Sequence, residues 1–214
     1  IFQKSMKKKI QLNLGCGIMV VGGFINIDKY LTLKSIKKMK AMGVKDAIIQ
    51  KGGRFVRADM VKLPFKNNYA DYIETIDTIE HISFRKIQPV FNEMYRVLKP
   101  RGRLMIITTN FDTLAAQWAE EFCGKSPGEI NMVKYLDLME VVYGNQIHKG
   151  EFHCTPFNPY FLGYLLHQAG FKIPKIKMTI FPRGSIIPNS KMKTQQWDKG
   201  AVARSEMILV EATK

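Results

Sequence analysis

The feature that most restricts how this chain can fold is an apolar run, Leu12-Asn13-Leu14, that stops at the turn Gly15-Cys16-Gly17. A second short run follows, Phe24-Ile25-Asn26-Ile27, and it ends on Asp28. A buried strand ending in a Gly-x-Gly turn lets backbone approach a ligand closely, and an acid at the tip of the next strand can accept hydrogen bonds from a ribose diol. The pair predicts a nucleoside-containing cofactor on a parallel sheet. Spacing narrows the choice. A dinucleotide fingerprint needs a third glycine where this chain has Val20, and an acid about 20 residues beyond the glycines. Asp28 follows Gly17 by only eleven positions, which disfavours a nicotinamide cofactor.

The rest of the chain supports that architecture. Strand patterns at residues 9–14, 24–28, 54–58, 72–76 and 103–109 alternate with helical ones, the signature of a parallel sheet with crossover helices. Residues 31–49 read as one amphipathic helix, with Leu31, Ile36, Met39 and Met42 opposite Lys34, Lys37, Lys38 and Lys45, and its apolar stripe is expected to pack on the domain. Residues 84–98 form a second helix, stopped by Lys99-Pro100-Arg101-Gly102. A mostly helical region spans 110–170. Its last helix begins at Asn158-Pro159 and ends at Gly170, which suits a left-handed cap. Residues 175–180 and 206–212 read as a terminal antiparallel pair, joined by a long Lys-, Pro- and Gly-rich connection over 181–204.

Bulk properties set the class. A chain of 214 residues suits one domain, here 6–214, with Ile1 to Ser5 read as upstream of a start at Met6. No apolar run approaches the ~20 residues that cross a bilayer, and the basic stretch from Lys7 to Lys9 leads into a strand and not into an export signal. Cys16, Cys123 and Cys154 are odd in number and widely spaced, which fits a reducing cytoplasm better than a disulfide framework. The net charge of +15 would attract phosphate groups, on RNA, a nucleotide sugar, a lipid headgroup or a cofactor. The four histidines show no metal-ligand spacing, so no metal is expected.

Further motifs carry a family resemblance. Ala58-Asp59-Met60 follows the third strand. Leu63-Pro64-Phe65 and Ala70-Asp71-Tyr72 lead into the fourth, Ile79-Glu80-His81 follows it, and the run from Glu93 to Gly102 precedes the fifth. In this order the chain resembles the class I S-adenosylmethionine-dependent methyltransferases. It is most similar to a small branch of predicted, type 11-like members, in the short path through Gly22-Gly23-Phe24-Ile25-Asn26-Ile27 and in Tyr143-Gly144-Asn145-Gln146 and His153…Phe157-Asn158-Pro159…Ala169-Gly170-Phe171. That path leaves little room for the usual first helix. One departure is Asp77, where the branch often carries a histidine.

The resemblance implies a Rossmann-like α/β fold: a seven-stranded, mostly parallel sheet with an antiparallel C-terminal edge strand and helices on both faces. It implies S-adenosyl-L-methionine as cofactor, held by Asn13, Leu14, Gly15, Cys16, Gly17, Asp28, Asp59 and Met60. Candidate acid-base residues are His153, His81 and Asp77, and candidate acceptor contacts are Tyr143, Gln146 and His148, all in segments that follow the fourth and fifth strands. Of these His153 is favoured, because it sits inside a matched motif. The expected activity is methyl transfer to a small-molecule or carrier-bound acceptor, a saccharide or other biosynthetic intermediate among them. An RNA methyltransferase and a non-catalytic cofactor-binding protein are the alternatives.

Overall fold

The computed structural model describes residues 9–146, 150–172, 174–179 and 207–214. In chain order the strands are β1 (Gln11–Leu14), β2 (Met19–Val20), β3 (Ile25–Asp28), β4 (Ile48–Ile49), β5 (Arg54–Arg57), β6 (Ala70–Ile76), β7 (Leu98–Thr109), β8 (Lys175–Thr179) and β9 (Met207–Thr213). The helices are α1 (Leu33–Ala41), α2 (Phe84–Val97), α3 (Phe111–Phe122), α4 (Met132–Tyr143) and α5 (Pro159–Ala169). A seven-stranded sheet runs in the order β5-β3-β1-β6-β7-β9-β8. Pairing from β5 through β7 is parallel, and β9 lies antiparallel between β7 and β8 at the C-terminal edge. This is the expected fold class.

The sheet's strand order reverses between β1 and β6, the kind of position at whose carboxyl ends open α/β sheets bind ligands. One face of the sheet packs on α2 and α5 through Ile87, Val90, Phe91, Met94, Leu162, Leu165 and Leu166. These recur at helical spacing and are buried in a single cluster with Leu12, Leu14, Ile73 and Ile106. The opposite face carries a second cluster built on Phe24, Tyr72, Ile76, Met105 and Ile107. Helices α3 and α4 form a hairpin with a small core of their own, Leu114, Phe122 and Leu138 packed with Trp118 and Tyr135, and a Lys134–Glu121 ion pair ties them together.

Three expectations need correction. The helix over 31–49 is shorter, because the chain turns at Gly43 in a left-handed conformation (φ +82°) that a helix interior does not hold. Beyond it, β4 pairs in parallel with β2 as a separate two-stranded sheet. The Lys99-to-Gly102 segment does not separate α2 from the sheet. Leu98 already pairs with Ala70, and the extra residues before Arg103 are taken up as an irregularity with Arg101 at φ +66°. The expected short path from Gly17 to Asp28 holds no helix, as anticipated, but it contains β2. The 181–204 connection lies outside the described residues.

Asn26 explains how so short a crossover is held. It is fully buried, accepts from the Val21 N–H (2.9 Å) and from the Asn13 amide (3.1 Å), and its own amide reaches the carbonyls of Val21, Phe24 and Arg54. A buried side-chain amide thus satisfies backbone groups that a helix would have satisfied internally.

Candidate cofactor and acceptor site

The glycine turn is stitched to the next strand. Gly15 and Cys16 donate their N–H groups to the Ile27 carbonyl (2.8 and 3.0 Å), and the Gly17 N–H reaches Asp28 Oδ2 (3.2 Å). Asp28 Oδ1 accepts from the N–H groups of Tyr30 and Leu31, both at 2.8 Å. Since a carboxylate has about four acceptor positions, three are used by backbone, and Oδ2 keeps one for a further donor. Gly15 and Gly17 both have positive φ, +68° and +52°, which favours glycine. Their surroundings differ. A Cβ on Gly15 would lie 1.9 Å from Thr78 Cγ2, and Thr78 also hydrogen-bonds the Gly15 carbonyl, whereas a Cβ on Gly17 would meet nothing within 4 Å. Gly17 therefore faces open space, with the Asp28 carboxylate beside it.

The segment after β5 joins the same edge. Ala58 donates to the Asp28 carbonyl (3.0 Å), and Asp59 takes the Lys29 ammonium on Oδ2 (2.8 Å) and the Val61 N–H on Oδ1 (3.0 Å). Burial raises the Asp59 carboxyl, but the Lys29 and Val61 hydrogen bonds outweigh it and hold the group below its ordinary value. The Lys29 pair is half exposed, so a ligand amine can displace it at small cost. The residues present fit an adenosyl ligand: a glycine turn open at Gly17, a diol acceptor at Asp28 and an amine acceptor at Asp59.

Not every expected cofactor residue presents its side chain. Asn13 is buried against Asn26, and Leu14 and Met60 lie in the main core, so these three can offer only backbone to a ligand. Cys16 is buried, and burial, with the Asp28 charge, pushes its thiol far up, which rules it out as a thiolate nucleophile at neutral pH.

On the acceptor side, Asp77 follows β6 with φ +48°, its N–H bonded to the Ile107 carbonyl. The one-turn 3₁₀ helix Ile79–His81 follows, and the His81 and His153 rings meet edge to face with centroids 4.7 Å apart. Their sequence separation conceals this pairing. His153 Nδ1 is 2.7 Å from the Val141 carbonyl. A carbonyl only accepts, so Nδ1 carries the proton and Nε2 keeps its lone pair. Burial lowers both histidines. In His81, burial and the neighbouring His153 bring the value to about 4 against hydrogen bonds to the Phe152 and Asp77 backbone.

A cavity of about 290 Å³ opens beside this pair, walled by Phe111, Leu114, Val141, Val142, Pro156 and Phe157, with His153, Tyr143, Thr109 and Glu80 as its polar points. Sequence reasoning missed the apolar wall, because its residues come from α3, α4 and the 153–157 segment and share no local motif. Glu80 is buried, accepts from Thr108 Oγ1 (3.0 Å), and its carbonyl takes the N–H groups of Cys154 and Thr155 (2.7 and 3.1 Å). Burial and the Asp77 carboxylate beside it raise the Glu80 carboxyl well above its ordinary value. Gln146 is exposed, its amide bonded to the Tyr143 carbonyl, and does not line the cavity; His148 lies outside the described residues.

The methyltransferase-domain family model matches residues 12–106, a stretch that contains the glycine turn, Asp28, Asp59 and the Glu80-His81 pair. Over that stretch the chain carries a methyltransferase domain, and its fold is that of class I S-adenosylmethionine-dependent methyltransferases. A SAM-dependent methyltransferase from Methanosarcina mazei superposes with a TM-score of 0.56 at 15% identity, covering 98% of this chain and 93% of that one. Human N-acetylserotonin methyltransferase, solved in complex with SAM, superposes with a TM-score of 0.54 at 15% identity, over 96% of this chain and 47% of its own. In sequence, the uncharacterized protein MJ0638 of Methanocaldococcus jannaschii is 31% identical over 152 residues, 68% of this chain. The chain spans 61% of that curated relative's length. No helix among the described residues is long and apolar enough to cross a membrane.

Proposed function

We propose that this methyltransferase transfers a methyl group from S-adenosyl-L-methionine to a small-molecule or carrier-bound acceptor in the cytoplasm. The observation that carries the reading is the meeting of the glycine turn, Asp28 and Asp59 at the carboxyl ends of β1, β3 and β5; a cavity with a histidine on its wall lies among the segments that follow β6 and β7. Gly15, Cys16 and Gly17 would pass beneath the methionine portion, Asp28 would hold the ribose, and Asp59 with the Met60 backbone would hold the adenine. Bound there, the cofactor supplies an electrophilic methyl group on a sulfonium with an intrinsically good leaving group. Displacement of that kind asks the protein mainly for alignment and exclusion of water. Phe111, Leu114, Val141 and Phe157 exclude water, and the His153 Nε2 lone pair takes the proton from the acceptor's nucleophile.

The wall chemistry bears on the acceptor. A saccharide would leave hydroxyl groups facing Leu114, Val141 and Val142, and each unpaired one would be costly. An acceptor with an apolar or aromatic portion at the reacting end fits better, with Tyr143 among the polar points of the cavity. His81 and Asp77 position His153 and Glu80 and do not themselves line the cavity.

Titration calorimetry with the cofactor and its demethylated product tests the first half, and no binding at millimolar concentration would reject it. For the second half, labelled methyl groups should enter the small-molecule fraction of an extract; entry into RNA instead would favour the nucleic-acid alternative. His153→Asn keeps a donor for the Val141 carbonyl and removes Nε2. It should lower the transfer rate roughly 10²-fold with product affinity unchanged.

A further inference from the structure

The +15 net charge is not absorbed by the cofactor site, and one stretch of the chain, α1 with the connector after it, is dense in exposed lysine. Between residues 31 and 53 the cations are all lysines, Lys34, Lys37, Lys38, Lys40, Lys45 and Lys51, each exposed, and Asp46 is the sole acid. Helix α1 turns its apolar side inward, with Ile36 fully buried, and its lysines outward. At its C-terminal end, the left-handed turn at Gly43 leaves Met42 72% exposed and Val44 43% exposed, and Ile48 on the same connector is 40% exposed. Apolar side chains projecting from a connector ringed by flexible ammonium groups present two chemistries at once.

We propose that α1 and the 42–48 connector dock on an anionic phospholipid surface, so that the enzyme works at a membrane interface. Lysine ammonium groups on four-carbon stems reach headgroup phosphates while Met42, Val44 and Ile48 enter the acyl boundary. Nucleic acid fits this face less well. The 31–53 stretch contains no arginine and no aromatic residue, so it offers neither bidentate phosphate recognition nor base stacking, and a phosphodiester backbone makes no use of the apolar tips. The face is distinct from the acceptor cavity, and α1 begins five residues after Asp28, so docking would hold the cofactor edge close to the surface. The inference does not depend on methyl transfer, and its test reads no activity.

The test is co-sedimentation of the full chain with vesicles of phosphatidylcholine alone and of phosphatidylcholine with about one third phosphatidylglycerol, at two salt concentrations. The expected result is at least a tenfold preference for the anionic vesicles, weakened by salt as screening shortens. Met42→Asp with Val44→Asp, and separately Lys37→Glu with Lys38→Glu and Lys40→Glu, should each reduce vesicle binding tenfold or more. All these side chains are exposed, so melting temperature should stay at the wild-type value; Met42→Gln with Val44→Thr serves as a milder pair. Equal pelleting with both vesicle types, no pelleting, or insensitivity to the apolar substitutions would overturn the proposal. So would a single-stranded RNA oligonucleotide that binds more tightly than the vesicles and is lost only in the lysine variant.

Discussion

At the scale of single residues, the site depends on two groups whose neighbours leave them little choice. The Asp28 carboxylate joins three backbone N–H groups from two loops, so it both shapes the glycine turn and offers its remaining acceptor position to the ribose. Asp28→Ala should weaken binding of the demethylated product by roughly 1.5–3 kcal/mol, the worth of a charge-assisted bond; calorimetry giving wild-type affinity would put the ribose elsewhere. Gly15 is constrained twice, by its positive φ and by Thr78 packed where a Cβ would sit. Gly15→Ala should therefore destabilise the fold by about 2 kcal/mol or more, and Thr78→Ser in the same chain should restore only the part due to the methyl contact. Denaturant unfolding of the single and double variants separates the two contributions, and full recovery in the double variant would show that the backbone conformation costs nothing.

Among the elements, those readable from sequence are the ones with a period or a cap. Helix α5 begins at the Asn158 side chain, which accepts from the Phe161 N–H, continues through Pro159 in its first turn, and ends at Gly170 in the left-handed conformation. Each of those signals is local, and each was visible in the sequence. The two-residue strands β2 and β4 have no period to detect, which is why 31–49 read as one helix. The His81–His153 contact and the apolar cavity wall were hidden for another reason: they are assembled from segments far apart in the chain. Asn26 is the device that lets β1 cross to β3 without a helix. Its replacement by Ala would strand the Val21 N–H and several buried carbonyls, so Asn26→Ala should cost about 3 kcal/mol or more and speed amide exchange at Val21 ahead of β6 and β7. A near-neutral stability change would mean that water replaces the side chain there.

For the whole molecule, the half-buried His81 and His153 couple stability to pH. His81 titrates near 4 in the fold against an ordinary 6.5, so between those values the unfolded chain binds the proton and the folded one does not. Its contribution to stability is present above pH 6.5 and is lost as pH falls toward 4, by on the order of 3 kcal/mol. His153, also lowered by burial, acts in the same direction. Glu80 acts in the opposite one: its carboxyl is raised, so its contribution is present below the ordinary glutamate value and is lost as pH climbs through its folded one. In the wild type these slopes partly cancel, and the raw pH dependence is a poor readout of either group. The difference between wild type and His81→Asn isolates the histidine. Asparagine can keep a donor to the Phe152 carbonyl without taking up a proton, so the variant should gain about 3 kcal/mol relative to wild type as the pH is lowered from 7 to 4. Denaturant unfolding at several pH values measures this. A constant difference would mean that His81 reaches solvent easily enough to charge in place, and that the pocket beside His153 is wetter than its apolar wall implies.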